Sequence, residues 1–150
     1  MRQKFLLFIA LVFIAAAGIF TAFGDKIYSY FERDITFKDM LLECDLHTNF
    51  CEVVFEDEKN IRLDISRPIR AGEEMTFNVK TEGFEDDELL VQIYGLNMNM
   101  GVFEYVLKKT DNKNYKGKAL VPTCMMGKMI WKINIISVRE NVGASFVLEL

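Results

Sequence analysis

From Cys51 onward the apolar residues recur at every second position, segment after segment. The stretches "CEVVFE" (51–56), "NIRLDIS" (60–66), "EMTFNVKT" (74–81) and "ELLVQIYG" (88–95) show it, as do "VFEYVLKK" (102–109), "YKGKALVP" (115–122), "KMIWKINIIS" (128–137) and "SFVLEL" (145–150). A period of two puts alternate side chains on opposite faces of an extended chain, and a helix cannot gather such a pattern onto one face. The breaks "EDEKN", "SRPIRAGE", "EGFEDDE", "TDNKN" and "RENVGA" are polar and carry turn residues. Short half-apolar strands joined by short turns predict an all-β domain: a two-sheet sandwich of about seven or eight strands with no long helix. Val91/Ile93, Trp131/Ile133/Ile135 and Phe103/Tyr105/Leu107 are the expected core faces.

The first residues follow another rule. Phe5 to Phe23 carry no charge and follow Arg2 and Lys4. As a helix this segment would span about 28 Å, close to the hydrocarbon thickness of a bilayer. Two readings stand, an uncleaved anchor and a signal peptide cut near Ala15–Ala17. Both leave the cations in the cytoplasm and export the rest. The expected organisation is therefore a hydrophobic helix in 1–24, a linker or short helix in 25–43, and the sandwich in 44–150. The expected location is the inner membrane, crossed once with the C-terminal domain in the periplasm, or the periplasm itself if the segment is cut.

Composition narrows the chemistry. The chain has a formal net charge of −4 and one histidine. An acidic domain without a basic run argues against nucleic acid as a partner. The run "FEDDE" (84–88) reads as a solvated turn. With a single imidazole, zinc hydrolysis and Ser-His-Asp catalysis lack their usual parts. No Gly-x-Ser-x-Gly, His-Glu-x-x-His, phosphate-cradling glycine loop or Cys-x-x-Cys is present. The expectation is a protein that is not an enzyme.

Cys44 and Cys51 flank "DLHTNF". In an oxidising compartment the simplest outcome is a disulfide across this short loop. A sharper reading makes Cys44, His47 and Cys51 ligands of a soft metal, and pairing of either cysteine with Cys124 is also open. If the first two pair, Cys124 is a buried thiol, a ligand or an intermolecular partner.

Five of the eight methionines fall in "GLNMNMGVFEY" (95–105) and "PTCMMGKMIW" (122–131). Thioethers and thiolates are the donors that select Cu(I), which needs only two to four of them. Met98 and Met100 share one side of an extended chain; Cys124 with Met125, Met126 or Met129 could complete a site. The competing reading is packing, the commonest use of methionine. Gly95, Gly101 and Gly127 set these segments near turns, and Asn97 and Asn99 give the first a wet opposite side.

The succession "VQIYGLNMNMG", "YKGKALVP", "GKMIWKINI" resembles the domain of the FixH and YtkA-like families of small exported bacterial proteins. The resemblance covers about residues 88–137. It implies an Ig-like or cupredoxin-like fold, often membrane-anchored, with Met98 and Met100 at the Met-x-Met positions and Trp131 as the core tryptophan. It also implies an association with copper handling or respiratory oxidase assembly, and so a partner in oxidase assembly or copper transfer. The family often carries proline and histidine beside its methionines, where this chain has Asn97 and Asn99. Two functions follow as expectations. One is a tethered accessory protein binding Cu(I) through Met98, Met100, Cys124, Met125 and Met129. The other is a non-catalytic Ig-like interaction module without metal.

Overall fold

All eight alternating segments pair as strands. The computed structural model describes residues 34–41, 44–123 and 127–150. Its strands are β1 (Thr36–Asp39), β2 (Cys51–Val54), β3 (Asn60–Ile65), β4 (Glu74–Glu82), β5 (Glu88–Gly95), β6 (Val102–Lys109), β7 (Asn114–Leu120), β8 (Ile130–Ser137) and β9 (Val142–Glu149). No α-helix occurs among the described residues. The hydrophobic helix expected in 1–24 lies outside them. No helix among the described residues is long and apolar enough to cross a membrane.

Pairing gives one continuous sheet in the order β1-β9-β8-β5-β6-β7-β4-β3-β2. This differs from two separate sheets. The ribbon is joined in its middle by only two residue pairs, Lys108 with Lys116 and Lys109 with Tyr115. Beyond that short bridge β6 and β7 still run close together, the Tyr105 O–H donating to the Leu120 carbonyl at 2.8 Å. A Cβ on Gly117 would lie 2.7 Å from Leu107 Cδ2 and 2.8 Å from the Val106 carbonyl, so this approach requires a residue without a side chain. The two halves of the ribbon fold together as a sandwich-like pair of layers.

One hydrophobic cluster fills the space between the layers. β4 contributes Met75, Phe77 and Val79, and β3 contributes Ile61, Leu63 and Ile65. From the other layer come Leu89, Val91 and Ile93 of β5, Trp131, Ile133 and Ile135 of β8, and Phe146 and Leu148 of β9. Each large apolar side chain so buried contributes about 1.5–3 kcal/mol relative to exposure. On β6, Leu107 is buried, while Phe103 and Tyr105 are partly buried against the cluster.

Two features depart from plain alternation. Ile133 to Ser137 are buried without interruption. On the face away from the core, Ser145 Oγ–H donates to Asn134 Oδ1 at 2.8 Å, satisfying two buried polar groups together. The second departure is β1. Residues 25–43 were expected as a linker or short helix, yet Thr36–Asp39 runs parallel to β9. Phe37 lies across Gly143, where a Cβ would come within 2.5 Å of its ring.

Polar ties fix one end of the sandwich. Buried Asp86 accepts Ser137 Oγ–H at 2.7 Å and the Arg139 N–H at 3.1 Å, and Tyr115 O–H donates to its carbonyl at 2.7 Å. The β4–β5 connection is thereby held to the β8–β9 turn and to β7.

Candidate functional site

The two sulfur-bearing segments meet at the opposite end, where β5 leaves the sheet and β8 enters it. Gly95 is paired with Trp131 across these strands. Beyond the last pair, the Leu96 N–H donates to the Ile130 carbonyl at 2.8 Å. Asn97 then spans the gap with both ends of its amide. Its Nδ2 donates to the Lys128 carbonyl at 2.9 Å, and its Oδ1 accepts the Ile130 N–H at 3.1 Å. Asn99 tightens the turn by accepting the Gly101 N–H at 3.0 Å. Gly101 has φ +84°, a conformation that suits glycine. Both asparagines that alternate with the methionines therefore hold backbone in place.

The methionines divide. Met98 is 37% exposed, on the outside of the turn. Met100 is partly buried against the core cluster. Met129 is 3% exposed and belongs to the core. A Cβ on Gly95 would lie 2.4 Å from the Met98 carbonyl and 2.8 Å from the Met129 methyl, so the backbone of the following turn is what requires glycine here. As placed, Met129 is a packing residue, while Met98 can meet a solute. Cys124 and Met125, with Met126, lie outside the described residues; the chain resumes at Gly127, immediately before the Asn97 clamp. Trp131 is fully buried, its ring edge-on to Phe103 with centroids 6.5 Å apart. Its Nε1–H has no hydrogen-bond partner among the described residues.

Cys44 and Cys51 are joined as a disulfide, with Cα atoms 5.7 Å apart. That removes both from a thiolate ligand set with His47. The histidine instead turns to the edge of β9, its Nε2 2.8 Å from the Glu149 carbonyl. Among the described residues no three His, Cys, Asp or Glu side chains are grouped to hold a metal ion. A metal at this end of the sheet would therefore depend on sulfur. Leu96 and Lys128 also line a cleft of about 870 Å³ whose far wall includes Met40 and His47, with Lys132 paired to Asp39 at 2.8 Å.

Sequence reasoning missed the Asn97 clamp. Its partners are more than thirty positions away, and nothing local distinguishes a clamping amide from a solvated one. Compared with protein-family models and with curated proteins, the chain finds no match in either. The likeness to the FixH and YtkA-like pattern rests on the quoted residues alone.

Proposed function

We propose that the domain is a non-catalytic accessory module that takes up Cu(I) at the joined methionine segments, tethered at the inner membrane and facing the periplasm. Met98 and Met100 are the donors from the first segment, with Cys124 and Met125 from the second. The observation that carries this reading is the Asn97 clamp, which fixes the Met98–Met100 turn against the start of β8 next to Gly127. A turn held before the ion arrives loses little freedom on binding it. The donor set suits a soft monovalent ion, since thioether and thiolate favour Cu(I) over harder cations. The Ig-like or cupredoxin-like assignment and a role in oxidase assembly belong to the same proposal, supported by the all-β sandwich and the residue resemblance.

The test is anaerobic Cu(I) titration against a colorimetric chelator, comparing the native chain with M98L/M100L and with C124S. Leucine keeps the volume and removes the sulfur. The expected result is about tenfold weaker binding or more for the double variant; unchanged affinity in both variants would remove the proposal.

A second reading is favoured by one observation. Leu96 and Val102 are exposed apolar residues beside the same turn, at 51% and 59%, and Val106 at 47% follows further along β6. In that reading the methionines form an adaptable protein contact. A photo-crosslinker at Val102 that captures one membrane partner equally with and without copper would select it.

A further inference from the structure

The methionines among the described residues stand in unlike surroundings. Met75 is 4% exposed and Met129 3%. Met40 and Met100 are partly buried against the core cluster. Met98 is 37% exposed, with Leu96 at 51% before it and Val102 at 59% past the turn. Cys44 and Cys51 are joined to each other, so neither offers a thiol to an oxidant. Oxidation of a sulfur side chain follows its exposure. Of these methionines, Met98 is the one a dissolved oxidant reaches first.

The turn that carries it is braced on both sides. Asn97 holds the Lys128 carbonyl at 2.9 Å and the Ile130 N–H at 3.1 Å. Asn99 accepts the Gly101 N–H at 3.0 Å. The Met98 carbonyl sits so near Gly95 that a Cβ there would be 2.4 Å away. None of these contacts uses the Met98 side chain. A change at its sulfur therefore alters the chemistry on the outside of the turn and leaves the turn in place. The core methionines differ. An oxygen added to Met75 or Met129 would put a polar atom into apolar packing, at a cost in stability.

We propose that Met98 is a site of reversible oxidation by hydroperoxides, and that its sulfoxide switches off the copper site. The second part rests on the Cu(I) reading and the first does not. The thioether lone pair attacks the terminal oxygen of the hydroperoxide. The S–O bond forms as the O–O bond breaks, and the proton passes to the departing oxygen, which leaves as water or an alcohol. Sulfur gives up two electrons and the peroxide gains them. A methionine sulfoxide reductase reverses the change, two thiols closing to a disulfide as the oxygen leaves as water. The sulfoxide presents a hard oxygen where the thioether presented a soft sulfur, so Cu(I) loses a donor that suits it.

The experiment treats the full native chain and M98L with low hydrogen peroxide and assigns each added oxygen by peptide mass mapping. All samples then receive the same brief thiol treatment, which reverses cysteine sulfenic acid and leaves methionine sulfoxide intact. Thermal midpoints and Cu(I) affinities follow, before and after reductases of both stereospecificities. Oxygen should appear on Met98 about tenfold faster than on Met75 or Met129, the reductases should remove it, and the midpoint should not fall. Cu(I) affinity should drop about tenfold in the oxidised native chain and recover on reduction, while peroxide changes that of M98L less than about twofold. Equal rates at Met98 and Met129, a sulfoxide that the reductases leave in place, or a lowered midpoint would overturn the oxidation site. Selective oxidation with unchanged Cu(I) affinity, or an equal drop in M98L, would overturn the switch and leave the copper reading standing. A native chain that binds no Cu(I) before oxidation would remove the copper reading and the switch with it, and the mapped sulfoxide would still decide the oxidation site.

Discussion

Asn97 occupies a turn where almost any polar residue would satisfy the sequence pattern, yet both ends of its amide are used. Replacing it with alanine leaves the Lys128 carbonyl and the Ile130 N–H without their partner. The expected cost is about 1–3 kcal/mol in urea denaturation; a change within experimental error would show that the clamp contributes nothing. Asp111 offers a second residue-level test. The Asn114 side-chain amide, and next the Lys113 N–H, stabilise its charged form and hold its pKa below the ordinary 3.8. A depressed folded pKa contributes stability above the unfolded value and loses it as pH falls through the folded one. The midpoint advantage of the native chain over D111N should therefore be full at about pH 6 and fade by about pH 2. Carboxyl NMR would show the titration midpoint below 3.8, and a midpoint at or above 3.8 would contradict the assignment. At this scale the sequence was partly readable. Gly95 marked a close approach and Gly101 a turn, but the division between exposed Met98 and buried Met129 is set by tertiary packing that the local pattern does not show.

The strands were the most legible elements, because alternation is a local property. All eight expected segments occur, with ends that move by a few residues where the last alternating side chain lies past the last ladder pair. β1 was missed for a physical reason. Its four residues are all exposed, so "TFKD" carries no burial signal, and its pairing is parallel to a strand more than a hundred residues later. The loop after β1 is closed by the Cys44–Cys51 bridge. Removing the bridge in C44S/C51S should cost about 2 kcal/mol, as expected for so short a loop. Denaturation of the native chain with and without reductant checks this, and coincident curves would count against it.

Across the whole molecule, the ribbon is held in the middle by a two-pair bridge, yet both layers share one core. A common core should make the layers unfold together, with equal calorimetric and van't Hoff enthalpies for the compact unit Ile35–Leu150. Two resolved transitions would show that the layers are independent.

Among the described residues β1 and β2 are the two outermost strands of the order. The disulfide lies between them, since Cys44 follows β1 and Cys51 opens β2, and β2 touches β9. It works as a clasp on a bracelet, fastening the rims of an open band into a hoop. A chain that never meets an oxidant keeps its core but leaves the band unfastened. Its hazard is then sticking rim to rim with other copies, so oxidation timing should govern the yield of monomer more than it governs melting.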